Sequence, residues 1–161
     1  MTVQQYLTYF DEILKPTEPL FRLIPPEKLD WKPTENSFTI GQLIAHIVGA
    51  LLVYGNGITT GEWGFQSMRE IFVMNRRQTS VTIEEAIGRL HANTSEFKRL
   101  VGSLSDDEFS FGVVDSPQLG RVPRLRLAML GIEHHLNHKT ELFMYLKLLG
   151  VDVNTGTLYR G

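Results

Sequence analysis

The chain carries three of its five histidines in one stretch, Glu133-His134-His135-Leu136-Asn137-His138-Lys139-Thr140-Glu141. This stretch lies inside a run of regularly spaced apolar residues from Arg124 to Leu149. Pro123 precedes the run and Gly150 follows it, which is typical of a helix N-terminus and a left-handed C-terminal cap. The stretch therefore predicts one long helix that carries a cluster of histidines.

His134 and His138 are four residues apart, so on a helix they lie on the same face. Apolar positions continue that face, namely Leu127, Leu130 or Gly131, Leu142 and Tyr145. Two imidazoles on a core-facing stripe are costly unless their nitrogens are engaged, and a divalent metal engages neutral imidazoles well. From this pair alone, two interpretations stay open. Either both side chains bind a metal, or one is hydrogen-bonded in the core and the other is exposed.

Composition limits the classes of protein to consider. A chain of 161 residues predicts a single domain over 1–161, and 42% hydrophobic with 21% charged residues is typical of a soluble globular protein. A net charge of −2 argues against broad electrostatic binding of nucleic acid or of an anionic membrane. There is no cysteine, so a metal site must use His, Asp, Glu and water.

Location is predicted from the absence of sorting signals. The N-terminal residues lack the basic start and apolar core of a signal peptide. The longest apolar stretch, Ile44 to Tyr54, is shorter than a membrane span and contains His46. We therefore expect a cytoplasmic protein.

Four long amphipathic helices are predicted. The first covers 3–24 and is kinked or divided by Pro16 and Pro19. The second begins at Thr39 and the third at Thr82, each with a capping box, and the third ends near Val101. The fourth is the histidine-bearing run. Four such helices predict an all-α four-helix bundle.

The connections are less regular. A short helix is predicted from about Phe65 to Met74, and a single helical turn at 106–109. The apolar residues near Val113 are too few to predict a strand, and 151–161 is interpreted as a tail of small and polar residues.

His46 lies within the second helix, where a lone histidine is more often a core residue than a ligand. His91 is interpreted as a surface residue.

Three segments together resemble the DinB/YfiT-like superfamily of four-helix bundle metalloproteins. They are Leu23 to Pro33, similar to the family's "lp-e-l-dw-P" connection, Ser37 to Ile47, similar to "si-lla-Hi", and Glu133 to Gly150, similar to its "H-x-x-x-H" ending. The resemblance covers nearly the whole chain. It implies that His46, His134 and His138 bind one divalent metal ion, nickel or zinc. His135 is the alternative to His134.

The last segment departs from the family pattern at several positions. Lys139 stands where arginine is usual, Thr140-Glu141 where Gly-Gln is common, and Asn137 where many members have another histidine. We expect these changes to alter the residues that surround the metal ligands. Because His135 is turned about 100° from His134, we expect it to be a structural donor or a rim residue.

The resemblance also implies a class of activity. Three histidines leave metal positions open for water or substrate, as in catalytic sites. Relatives are thiol transferases using low-molecular-weight thiols, or related isomerases and hydrolases. This predicts a detoxification or stress-response enzyme that joins a small thiol to a small-molecule electrophile, assisted by Glu62, Asn137, Glu141 or Tyr145. The alternative is a non-catalytic, stress-related metal-binding or interaction protein. Neither interpretation predicts a nucleic-acid or membrane partner.

Self-association is predicted from the aromatic content. The core-facing sides of four amphipathic helices can bury fewer large aromatic rings than the chain contains. Some rings should therefore lie on an outer helix face and form an interface between two copies of the chain. The rings are Tyr6, Tyr9, Phe10, Phe65, Phe72 and Phe143. We expect a homodimer with each metal site inside one chain. The alternative is a monomer in which the two long connections cover the extra rings.

Overall fold

The computed structural model describes residues 1–161 and is built mainly of helices. Its elements are α1 (Val3–Leu14), α2 (Thr17–Arg22), α3 (Ile40–Thr60), α4 (Met68–Arg76), α5 (Ile83–Gly102), α6 (Asp106–Phe111), β1 (Val113–Ser116), β2 (Gly120–Pro123), α7 (Arg124–Leu148) and α8 (Thr155–Arg160). A short 3₁₀ turn, Pro26–Lys28, follows α2. The predicted all-α fold is confirmed.

The bundle is formed by α1, α3, α5 and α7. Helices α1 and α3 each pack against both α5 and α7, so α3 lies diagonally across the bundle from α1. The buried apolar side chains form one contiguous core. Within it, Tyr6 packs on a cluster of phenylalanines from α1, α5 and α6, and its hydroxyl donates to the carbonyl of Ala128 at 2.9 Å. The Tyr6 hydrogen bond fixes α7 against α1, and α7 also packs against α3.

Helix ends follow the predicted capping residues. The hydroxyls of Thr39 and Thr82 accept the backbone N–H three residues on and complete capping boxes at α3 and α5. Gly150 has φ +78° after the last turn of α7, a conformation that favours glycine. The first predicted helix is divided at Pro16 into α1 and α2. Proline lacks the backbone N–H that a continuous helix would need there.

Two elements differ from the sequence predictions. Strands β1 and β2 form an antiparallel hairpin where no strand was predicted, with Val114 and Ser116 buried on one face. The predicted polar tail contains α8, whose N-terminus is capped by Asn154. Directly after the hairpin, Arg124 joins the start of α7 to the end of α3, because its guanidinium donates to the carbonyls of Ile58 and Thr59 at 2.8 and 3.3 Å. These carbonyls lie in the last turn of α3, where no intrahelical donor remains for them.

The aromatic rings lie mostly inside the chain. Tyr6, Phe10, Phe65 and Phe143 are buried, whereas Tyr9 and Phe72 are exposed. Four of the six rings on which the homodimer prediction was based therefore belong to the core. The homodimer itself stays a prediction.

Helix α3 is longer than the apolar stretch seen in the sequence. Its 21 residues and mean hydropathy of 1.5 meet the length and composition of a membrane span. However, 56% of that apolar window is buried among the other helices. A core helix of a bundle has the same properties, and α3 occupies that position.

Candidate metal centre

Three histidines from two helices meet near the middle of the bundle. His46 projects from α3, while His134 and His138 project from one face of α7. One nitrogen of each ring lies within 4.8 Å of the other two, and the Nε2 atoms of His46 and His134 are 3.1 Å apart. These are the three residues that the family resemblance assigned as ligands, and they could bind a metal ion.

The spacing of the His46 and His134 nitrogens fits a shared metal ion. Two nitrogens, each about 2.0–2.1 Å from one metal, lie about 2.9 Å apart at a right angle and about 3.4 Å apart at a tetrahedral angle. The observed 3.1 Å falls between these values. The same distance suits an N–H···N hydrogen bond in the metal-free protein. The two rings can therefore exchange a hydrogen bond for a metal without moving far.

Burial keeps two histidines of this site neutral. Together with the repulsion from neighbouring imidazoles, it lowers the pKa of His46 to about 4 and that of His134 to about 2. A neutral imidazole has a free lone pair, which is the form that binds a metal. The site is therefore ready to bind a metal ion at neutral pH without first losing protons from these two residues.

His138 is held by a chain of hydrogen bonds along α7. Its Nδ1 lies 2.8 Å from Oε2 of Glu141, and the other oxygen of Glu141 accepts from the Tyr145 hydroxyl at 2.8 Å. These bonds lower the pKa of Glu141, and burial raises the pKa of Tyr145 to about 12. An ionised Glu141 fixes the proton on Nδ1 and leaves Nε2 of His138 for a metal.

Two of the predicted catalytic residues lie elsewhere. Glu62 is exposed in the loop after α3, and Asn137 is exposed on the outer face of α7. Neither lines the cavity at the histidines. Glu141 and Tyr145 do not line it either, but of the four candidates they alone are connected to a histidine of the site, through the hydrogen bonds to His138.

The neighbouring face of α7 is polar as well and serves a different role. His135 is buried, with its Nε2 2.8 Å from the hydroxyl of Thr17, and Lys139 is buried and donates to the carbonyl of Ile13 at 3.2 Å. The prediction that Lys139 surrounds the metal ligands is therefore wrong. It points at the C-terminal end of α1, where unpaired carbonyls attract a cation. The expectation that His135 is a structural residue agrees with its contact.

A cavity of about 630 Å³ opens onto the three histidines. Tyr54 forms one wall, with its ring centroid 5.3 Å from that of His134, and Phe65 lies further out. Sequence reasoning did not identify these lining residues. Val53 and Tyr54 stand seven and eight residues after His46, so helical spacing from that histidine could have indicated them.

Known proteins share this fold and sequence pattern. The sequence profile of the DinB superfamily matches residues 9–142. The uncharacterized protein YjoA of Bacillus subtilis is 23% identical over 148 residues, which is 91% of this chain and 90% of YjoA. Ethylmalonyl-CoA mutase of Methylorubrum extorquens is 25% identical over 135 residues, and the chain spans only 17% of that protein.

Solved structures of other proteins share the fold of this chain. The crystal structure of the DinB-like YjoA has a TM-score of 0.72 at 20% identity and covers 98% of this chain and 99% of YjoA. The mycothiol-dependent maleylpyruvate isomerase has a TM-score of 0.68 at 16% identity, covering 88% of this chain and 61% of the isomerase. These likenesses concern the fold, while the profile match covers most of the sequence. The chain belongs to the DinB superfamily.

Proposed function

We propose that the protein is a metal-dependent enzyme that transfers a small thiol to an electrophilic carbon. The observation that carries this proposal is the convergence of three histidines, His46, His134 and His138, at one end of an open cavity. Three protein nitrogens leave coordination positions free, which is typical of catalytic rather than structural sites. A set of neutral nitrogen donors suits zinc or nickel.

When bound, the metal would lower the pKa of a thiol and hold it as the thiolate. The chain's own part is to position this chemistry. Glu141 keeps its negative charge and both its oxygens are engaged, so it orients His138 and does not act as a base. Tyr54 packs beside His134 in the cavity wall and adds an apolar surface next to that imidazole.

The transfer itself needs no redox partner. The thiol S–H loses its proton to solvent through the open cavity. The thiolate sulfur then donates an electron pair to the electrophilic carbon, and the bond from that carbon to its leaving group breaks with the pair on the leaving group. In an addition to an activated double bond, nothing leaves. The π electron pair of the double bond moves onto the neighbouring carbon, which takes up a proton. One thiol and one electrophile are consumed in either case.

A fold relative supports the thiol chemistry. The mycothiol-dependent isomerase shares the bundle, and its name records the use of a low-molecular-weight thiol. At 16% identity this likeness concerns the fold, and the activity proposed for this chain depends on its own histidines.

The test begins with protein purified without a histidine tag and analysed for metal. Zinc- and nickel-loaded samples are then assayed with cysteine-derived thiols and 1-chloro-2,4-dinitrobenzene as the electrophile. We expect turnover that is lost in His134→Ala and kept in His91→Ala, a matched control because His91 is exposed and pairs with Glu18. Metal bound in stoichiometric amount with no turnover for any thiol and electrophile would favour the non-catalytic alternative.

A further inference from the structure

The cavity extends well beyond the histidines, and the thiol chemistry above does not account for its outer part. Helix α4 and the loop before it supply an apolar wall, formed by Phe65, Met68, Ile71, Phe72 and Met74. Helix α4 contributes no buried residue to the bundle. Ile71 also packs against the core, whereas Met68, Phe72 and Met74 are exposed and available to contact a ligand.

The cavity lining has a positive charge and no negative one. Arg77, at the C-terminal end of α4, is its only formally charged side chain, and no aspartate or glutamate lines the cavity. Arg77 has no carboxylate within ion-pairing distance. It is exposed, whereas the three histidines are half-buried, so the cation lies at the mouth and the histidines at the floor. A guanidinium can bind a carboxylate or sulfonate through two parallel hydrogen bonds.

We propose that the cavity binds small molecules with an apolar body and one anionic group, such as aryl or alkyl carboxylates. The anion pairs with Arg77, the apolar body packs against α4 and Phe65, and the far end of the molecule faces the histidines. The volume of about 630 Å³ lies within the range of small-molecule sites. The lining residues Gln78 and Gln118 add neutral hydrogen-bonding groups without changing the preference for a single negative charge.

This inference rests on the proposed function only in identifying the ligand as the electrophile. The binding itself needs no metal and no turnover. It can therefore be tested in metal-free protein, where a carboxylate cannot bind simply as a metal ligand. Failure of the thiol transfer reaction would leave the binding result intact, and failure of binding would leave the metal chemistry intact.

The experiment compares 4-phenylbutyrate with 4-phenylbutan-1-ol in chelator-treated protein by calorimetry. The two probes share their apolar body and differ only in charge. We expect the acid to bind about three- to tenfold more tightly than the alcohol, with the difference shrinking as salt is raised. Arg77→Gln should weaken the acid by about the same factor and leave the alcohol unchanged. Arg76→Gln is the matched control, because Arg76 is exposed and does not line the cavity.

Phe72→Ala tests the apolar wall. The side chain is 61% exposed, so its loss leaves the core intact, and both probes should weaken by about threefold. Equal affinity for acid and alcohol, or an equal effect of Arg77→Gln on both, would overturn the charge assignment. Absence of binding for both probes at millimolar concentration, in protein that still binds zinc, would overturn the cavity as the ligand site.

Discussion

Replacing Glu141 with glutamine should weaken metal binding while leaving all three histidines in place. The substitution keeps the shape of the side chain but removes its charge. In the native protein the carboxylate lies 2.8 Å from Nδ1 of His138 and accepts from Tyr145. A glutamine oxygen can still accept from His138, so only the charge-dependent part of the interaction is lost.

The magnitude has two sources. A hydrogen bond to a charged acceptor contributes about 1 kcal/mol more than a neutral one. The carboxylate also attracts the dication through the imidazole, from roughly 7 Å away, which at an effective dielectric constant of about 20 would give roughly 5 kcal/mol. Glu141 is 33% exposed, so solvent screening reduces this attraction to about 1 kcal/mol. The sum of about 2 kcal/mol corresponds to about a 30-fold loss of affinity, within the usual 10- to 100-fold effect of such supporting residues.

The assay is competition for Zn²⁺ against a chromophoric chelator at pH 7.5, with Glu141→Gln beside Glu96→Gln. Glu96 is a partly exposed glutamate on α5 that pairs only with Arg99, so its replacement should leave zinc affinity unchanged. Tyr145→Phe should lose less affinity than Glu141→Gln, because it removes a donor and keeps the charge. If Glu141→Gln binds zinc within twofold of the native protein, the carboxylate does not support His138 in the way described.

Three further outcomes are expected. His135→Ala should lower the free energy of unfolding by about 2–4 kcal/mol in urea titrations yet keep zinc affinity, whereas His134→Ala should abolish zinc binding; the reverse pattern would contradict the assignment of the two faces of α7. The metal-free protein should lose stability as pH falls from about 6.5 towards 4, because burial lowers the pKa values of His46, His134 and His135 and keeps them neutral when folded, while the unfolded chain binds protons. With three such groups the loss approaches about 4 kcal/mol per pH unit. Equal stability in urea at pH 7 and 5 would contradict this reasoning. Gly57→Ala should cost about 1–3 kcal/mol and change the fluorescence of Trp63, because the new Cβ would lie 2.5 Å from that ring, and an unchanged thermal midpoint would show that the ring moves freely.

The site illustrates what spacing along one helix can and cannot predict. The four-residue interval placed His134 and His138 on one face, and turned His135 away from it, as observed. It could not predict what the adjacent face would contact. Lys139 was expected to surround the metal ligands because it replaces the usual arginine of the family pattern. Its side chain is instead directed at the end of α1, which depends on how two distant helices pack.

The missed hairpin has a similar cause. Its two strands have four residues each, too short for an alternating pattern to stand out, and they are held in place by contacts with α3 and α7. Arg124, the residue after β2, joins the adjoining start of α7 to the end of α3 across 65 or more residues of sequence. The family resemblance supplied what local patterns lacked, namely that His46, 88 residues before His134, belongs to the same site.

In this protein the residues of α4 that would contact a ligand are separate from the buried residues that stabilise the bundle, and this separation affects how ligand preference could evolve. Met68, Phe72 and Met74 of α4 line the cavity and are exposed, so replacing them should change the free energy of unfolding by only about 0.5 kcal/mol in either direction. Natural proteins keep only a narrow margin of stability, which restricts most changes near an active site. Here mutations in α4 that change the shape of the cavity would leave the free energy of unfolding almost unchanged. One bundle with one set of histidines could therefore serve different small molecules in different lineages through changes in a single nine-residue helix.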